Sequence, residues 1–189
     1  MAAPPRERML SIVGLSLTEC FRVLGEDAPD YPVETLAEQY KNAFHDLRAR
    51  GDYMEPLYPG AADTVTALAK RDDVVLGIAT GKSQRGVRLV LGHHGLLDHF
   101  ITIKTADDAP SKPDPGMVLH AMREAGVEAR DTVVVGDTIY DMKMAQAAGA
   151  SAIGVTWGYH TRDSLTAPGA TVIDDYATLV PTLDKIWTL

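Results

Sequence analysis

From residue 61 to the C-terminus, short apolar runs rich in β-branched residues alternate with stretches of helical periodicity. The runs are "DDVVLGIAT" (72–80), "HFITIK" (99–104), "DTVVVGD" (131–137), "SAIGVTWG" (151–158) and "ATVID" (170–174). Between them lie "PGAADTVTALAKR", "SQRGVRLVLGHHG", "DPGMVLHAMREAG" and "IYDMKMAQAAG", each closed by a basic residue or a glycine, and a last helical stretch covers 176–187. Parallel strands need a crossover of a dozen or more residues, and a helix supplies it. The alternation therefore predicts an α/β fold with a doubly wound parallel sheet. The valines at 133–135 predict a strand buried on both faces. Pro181 either opens a second helical segment or kinks the last one.

No strand is predicted before residue 73. "SLTECFRVLG" opens on Ser16 with Glu19 three residues later, the pattern of a capping box. "VETLAEQYKNAFHDLRARG" puts Leu36, Tyr40, Ala43, Phe44 and Leu47 on one stripe, with Arg48 and Arg50 in a last turn and Gly51 as the stop. "YMEPLYPG" (53–60), with two prolines and a glycine, marks a boundary. The reading is a helical module over 1–55 and an α/β core over 56–189.

A chain of 189 residues with 46% apolar composition can bury a real core. The net charge of −8 and the lack of any basic block exclude nucleic acid as the expected partner. Such a chain must concentrate positive charge locally to hold an anionic substrate. The single cysteine, Cys20, allows no internal disulfide and reads as a packing residue. No apolar run reaches the length of a membrane span, and "MAAPPRERML" has no apolar signal core. The expected location is cytoplasmic, without membrane partners.

Residues 77–83 read "GIATGKS" and end like a P-loop. The P-loop needs a glycine five positions before Gly81, and that position is Leu76. What remains is a strand that ends in Thr80-Gly81-Lys82. Two other stretches fall beyond predicted strands: Asp137 with Asp141 one helical turn later, and "SKPDP" (111–115) with Lys112 just before a helix. In open α/β sheets, ligands bind outside the carboxyl ends of the strands. The Thr80 hydroxyl and the N–H groups after it are donors for an anion. Lys112 is a point charge for phosphate oxygens. Asp137 and Asp141 supply the carboxylate oxygens that Mg²⁺ prefers, on one face of a turn. Singly, each has an ordinary structural role: N-cap, loop lysine, turn aspartate. Together and in this order they fit a phosphate and a hard cation. His93, His94 and His99 lack zinc spacing and read as cations at a helix end. Met142 and Met144 read as packing, and Trp157 and Tyr159 as a packed turn.

"GIATGKS", "SKPDP" and "VVVGDTIYD" resemble the second, third and fourth motifs of the haloacid dehalogenase-like superfamily, in its phosphoglycolate phosphatase-like branch. The resemblance covers nearly the whole chain, including the tail "GVTWGY" and a helical cap over about 1–55. It implies a Mg²⁺-dependent phosphatase, a phosphoric monoester hydrolase, acting on a small phosphorylated metabolite such as phosphoglycolate. Thr80 and Gly81 would bind the phosphoryl oxygens. Lys112 would neutralise phosphate and nucleophile. Asp137 would bind the metal, and Asp141 would position Lys112 and the metal's water shell.

The family's first motif, Asp-x-Asp-Gly-Thr on the first strand, is absent: the chain contains no Asp-x-Asp. The cap region is similar to a family cap from its middle onward. The expectation is an N-terminally shortened chain, with a partial cap and a core lacking its central first strand. Such a chain would be inactive as it stands and would fill the gap by another segment or by strand exchange. The competing readings are a non-catalytic phosphate- or metabolite-binding protein and a dehalogenase of the same superfamily.

Overall fold

The first part of the chain folds into α1 (Arg6–Ser11), α2 (Leu17–Leu24) and α3 (Val33–Ala49). These elements, like all that follow, come from a computed structural model that describes residues 4–49 and 55–188. Ser16 caps α2 by accepting the Glu19 N–H (3.4 Å), but the expected capping box is only half made. The Ser16 N–H that Glu19 would take is given to Ser111 Oγ (2.8 Å), and the Glu19 carboxylate pairs with Arg22 instead. The α3 stripe is also less covered than its periodicity predicts. Ala37 is buried and Leu36 and Phe44 half-buried, while Tyr40 and Leu47 are exposed. The eight residues of α2 cannot roof the seventeen of α3. Tyr40 makes up part of the difference by stacking on Phe44 at 5.7 Å and meeting the edge of Phe21 at 6.4 Å. Cys20 is the expected packing residue: its thiol donates to the Ile12 carbonyl (3.3 Å), and burial pushes its pKa up to about 11.

The predicted boundary at 53–60 falls partly outside the described residues, as do Arg50 and Gly51; residues 55–58 have no regular structure. Beyond them run α4 (Ala61–Ala69), β1 (Leu76–Thr80), α5 (Gln84–His93), β2 (Phe100–Thr105) and α6 (Gly116–Ala125). Then follow β3 (Val133–Gly136), α7 (Ile139–Ala147), β4 (Ser151–Val155), α8 (Arg162–Thr166), β5 (Thr171–Ile173) and α9 (Leu179–Trp187). Local signals set the ends. Ser83 caps α5 by accepting the Gly86 N–H (3.2 Å). Gly126, at φ +70°, stops α6 in a left-handed turn that a side chain would strain. Pro181 lies in the first turn of α9, where its missing N–H has no helical partner to lose.

All strand pairs are parallel, as predicted, but the strands form two sheets rather than one. One contains β1 and β2; the other has the order β3-β4-β5. The inner edges of β1 and β3 have no ladder partner among the described residues. A cavity of about 1230 Å³ lies between them, lined by 76–79 on one wall and 133–135 on the other, with Val118, Met122, Leu179 and Leu183 closing its faces. The cavity runs as far as Asp141. This slot corrects the expectation for the valine run: Val133 and Val134 are half-buried, but Val135 is 42% exposed. The remaining core is in two parts. Ile153, Val155 and Ile173 pack under Leu68, Leu179 and Leu183, and Met117, Val118 and Met122 pack with Met144 and Ala148. Met142 and Met144 are fully buried, as their packing role requires. Among the described residues, no helix is long and apolar enough to cross a membrane.

Candidate functional site

The three motif stretches lie beyond β1, β2 and β3, at the carboxyl ends of parallel strands. A short strap from the helical part touches all three. Gly81 sits so close beneath it that a Cβ there would stand 2.4 Å from the Leu15 carbonyl oxygen. A Cβ on Gly14 would stand 2.8 Å from Thr138 Oγ1, and the Ser16 N–H reaches Ser111 Oγ. Tyr140 adds a bond from its hydroxyl to the Ser11 carbonyl (2.9 Å). Residues 11–16 thus bridge the ends of β1 and β3 and the loop that bears Lys112.

Thr80 ends β1, and its Oγ1 accepts the Lys82 N–H at 3.2 Å. That bond leaves the hydroxyl proton free to be donated elsewhere. Lys82 points away into an ion pair with Glu55 (2.5 Å). It belongs to the surface rather than to a phosphate loop.

Asp141 and Lys112 form the buried centre of the site. Asp141 is the third residue of α7 and closes a capping box with Thr138. Its Oδ2 accepts the Thr138 N–H (3.0 Å) and hydroxyl (2.6 Å), and its Oδ1 accepts Lys112 Nζ (2.5 Å). Both oxygens are therefore engaged. Lys112 and Asp141 are 7% and 5% exposed, so the pair is shielded from water. A Cβ on Gly136 would stand 2.3 Å from the Asp141 Cβ, and only glycine lets the helix approach this closely. One of the three Nζ donors of Lys112 is placed on Asp141; the other two are available to an anion.

Asp137 directly follows the last residue of β3 and is held from the far side by the turn after β4. Its Oδ2 accepts the Tyr159 N–H (3.0 Å) and its carbonyl accepts the His160 N–H (3.2 Å). His160 Nδ1 in turn accepts the Ile139 N–H (3.1 Å). Trp157 packs on Tyr176 at 4.6 Å as expected, but the Tyr159 side chain, expected in the same packed turn, is exposed, and Tyr159 reaches Asp137 through its backbone N–H alone. His160 escaped the sequence reading because a bond from a backbone N–H to a ring 21 positions away leaves no periodic signature.

Burial pushes the Asp137 carboxyl above its ordinary value, and the neighbouring Asp141 charge adds to this. The Tyr159 N–H and the Lys112 ammonium pull the other way without cancelling it. A partly buried carboxylate with incomplete compensation, beside a second carboxylate, fits a hard cation held by oxygen ligands. Among the described residues no three His, Cys, Asp or Glu side chains cluster as a full protein cage. Mg²⁺ commonly uses one or two carboxylates and fills the rest with water and substrate oxygens.

The sign of the Asp137 shift makes a prediction. The native state binds this proton more tightly than the unfolded chain, so ionised Asp137 lowers stability above its raised pKa. Asp137→Asn is therefore expected to raise the melting temperature of the metal-free protein at neutral pH. The gain should shrink as pH falls and vanish near the ordinary aspartate value of about 3.9. Millimolar Mg²⁺ should raise the midpoint of the wild type and leave Asp137→Asn unmoved. Thermal melts across pH, with and without Mg²⁺, check both statements.

Known proteins place the chain. The profile of the haloacid dehalogenase-like hydrolases matches residues 1–155. IndB of Dickeya dadantii, named a probable phosphatase, is 36% identical over 175 residues, which are 90% of this chain and 74% of IndB. Phosphoglycolate phosphatase of Pseudomonas putida is 35% identical over 150 residues, 78% of this chain and 55% of that enzyme. The chain thus spans three quarters of one relative and little more than half of the other. A hydrolase from Pseudomonas syringae, solved by crystallography, superposes with a TM-score of 0.83 at 26% identity, covering 97% of this chain and 84% of that one. With a profile match over most of its length, and two relatives above 30% identity that align over more than two thirds of it, the chain belongs to the haloacid dehalogenase-like hydrolases.

Proposed function

We propose that this site serves a Mg²⁺-dependent phosphatase acting on a small phosphomonoester of the phosphoglycolate type, in the cytoplasm. The observation that carries the reading is the buried Lys112–Asp141 pair beside Asp137 at the strand ends. In a chain of net charge −8, it presents a fixed ammonium to an anion. Relatives named phosphatases support the reaction class.

The roles follow from the chemistry of each group. The two remaining Lys112 donors hold phosphoryl oxygens, and Asp141 keeps the ammonium aimed by occupying the third. The Thr80 hydroxyl donates to the same oxygens, with the N–H of Gly81 beside it. Asp137 would hold Mg²⁺, and Asp141, whose oxygens are committed to Lys112 and Thr138, would act on the ion only through water. Bound there, the ion would neutralise charge that develops on the phosphate. Fixed charges in a dry site matter most in the transition state, and phosphomonoester hydrolysis is among the slowest uncatalysed reactions.

A carboxylate nucleophile enters this scheme on an extended strand in the slot between β1 and β3, because Asp141 lines that slot. The domain reading is then a cap over 1–55 and a core over 56–189 whose sheet closes around that strand. Since the chain contains no Asp-x-Asp, a second reading stands for the chain on its own: a binder of phosphate compounds. Assays with p-nitrophenyl phosphate and 2-phosphoglycolate, with and without Mg²⁺, on protein whose slot holds an Asp-x-Asp strand test the enzyme. Mg²⁺-dependent phosphate release establishes it. Binding of inorganic phosphate that Lys112→Met weakens, with no release from either ester, establishes the binder.

A further inference from the structure

The turn at 156–160 is fastened to the end of β3 more firmly than a connection needs. The Tyr159 N–H holds the Asp137 carboxylate, the His160 N–H holds its carbonyl, and His160 Nδ1 accepts the Ile139 N–H. Gly158 is pressed so close that a Cβ would stand 2.1 Å from the Asp137 Cβ. An imidazole that accepts at Nδ1 carries its proton on Nε2. That Nε2 is buried and has no hydrogen-bond partner among the described residues. Leaving a buried N–H unpaired is unfavourable, so the ring is kept for what Nδ1 does.

The Ile139 N–H is one of the free donors at the start of α7, the helix that carries Asp141. Thr138 Oγ1 takes the Asp141 N–H, and the Asp141 carboxylate takes the Thr138 N–H. His160 takes the Ile139 N–H from outside the helix. The Tyr140 ring, at 5.7 Å and 61° to the imidazole, holds the ring plane. One side chain therefore ties the start of α7 to the turn that clamps Asp137.

We infer that His160 is a positioning residue for the cation site: as the Nε2–H tautomer it fixes the Asp137 carboxylate, through the 157–160 turn, relative to Asp141 and Lys112. The inference rests on the reading of Asp137 as the metal-binding carboxylate. Groups bonded directly to a metal ligand are worth about 10–100-fold in metal affinity, and the His160 ring acts one bond further out, which puts its effect at the lower end. His160→Ala is expected to weaken Mg²⁺ or Mn²⁺ binding by about tenfold or more. His160→Asn, whose Oδ1 can accept where Nδ1 did, is expected to recover most of the loss. His160→Gln places its polar group farther out, near Nε2, and is expected to recover little.

Calorimetric titration with each metal ion, on wild type, Asp137→Asn and the three His160 variants, reads these differences. A long-range ¹H–¹⁵N spectrum of the metal-free wild type reads which ring nitrogen carries the proton. If Asp137→Asn binds metal like wild type, the metal reading fails and takes the inference with it. If Asp137→Asn loses binding while His160→Ala keeps it, the metal reading stands and the inference alone is overturned. Should His160→Ala fail to fold, the Asn and Gln variants decide: equal affinities overturn the inference. A proton found on Nδ1 also overturns it.

Discussion

Lys112→Ala is expected to destabilise the protein by about 3 kcal/mol and, in the strand-completed enzyme, to lower kcat by about 100-fold or more. The stability loss comes from Asp141. Its carboxylate would keep the two Thr138 donors on Oδ2 but lose the ammonium on Oδ1, at a position only 5% exposed. Breaking a buried ion pair from one side typically costs about 3–5 kcal/mol, and the surviving Thr138 bonds put this case at the lower end. Removing both charges, as in Lys112→Met with Asp141→Asn, should recover part of the stability and none of the activity. Urea unfolding of wild type, Lys112→Met, Asp141→Asn and the double variant, with kcat of the completed enzyme, checks this as a double-mutant cycle. A Lys112→Ala protein with wild-type stability and kcat would overturn both the contribution of the buried pair and the part given to Lys112 in catalysis.

Placing an extended apolar segment that ends in Asp-x-Asp into the slot between β1 and β3 is expected to turn phosphate release from background to measurable. The same change should raise the melting midpoint by about 6–12 °C. The inner edges of β1 and β3 offer five and four residues of backbone without a ladder partner among those described. Both strands already run parallel to their outer neighbours, so an inserted strand finds the evenly spaced bonding of a parallel ladder on each side. It would also cover Val135, 42% exposed as things stand. Burying two more aliphatic side chains contributes about 3 kcal/mol, and each kcal/mol moves the midpoint of a domain this size by about 2–4 °C. Fusing the segment to the chain, or adding it as a peptide, and comparing melts and phosphate release tests both effects. Turnover of phosphomonoesters by the protein without such a strand would overturn the slot's role and require another carboxylate as nucleophile.

The elements that rest on local signals were legible in the sequence. α5 and α6 have their caps at Ser83 and Gly126, and the five strands stand where the β-branched runs are. Features set by neighbours were not. The run at 133–135 has the composition of a central strand, and composition records which partners a strand suits rather than which it has. The exposure of Tyr40 and Leu47 depends on the length of α2, which the α3 pattern does not contain. At the site, Thr80, Lys112, Asp137 and Asp141 were all named from spacing, and the structure sets Lys112 against Asp141, with Asp137 just past the end of β3, the strand that leads to it. Spacing could not separate a carboxylate that meets the ligand from one that holds its neighbours. The hydrogen bonds differ between the two: Asp141 is fully engaged by Thr138 and Lys112, while Asp137 is held by a single N–H at its carboxylate, and the proposed roles are built on that difference. The His160 contact was invisible for the same reason.

The slot also limits how copies of this chain can associate. Exposed strand edges are usually open-ended templates, since each added strand offers a new edge to the next. Here the two inner edges face one cavity, and a single segment saturates both. In polymer terms the slot is an acceptor of valence one, and filling it caps the chain reaction rather than propagating it. Of the outer edges, β5 offers only three residues. Titration of a strand peptide should therefore reach a sharp end point at one equivalent, with no growth in light scattering beyond it.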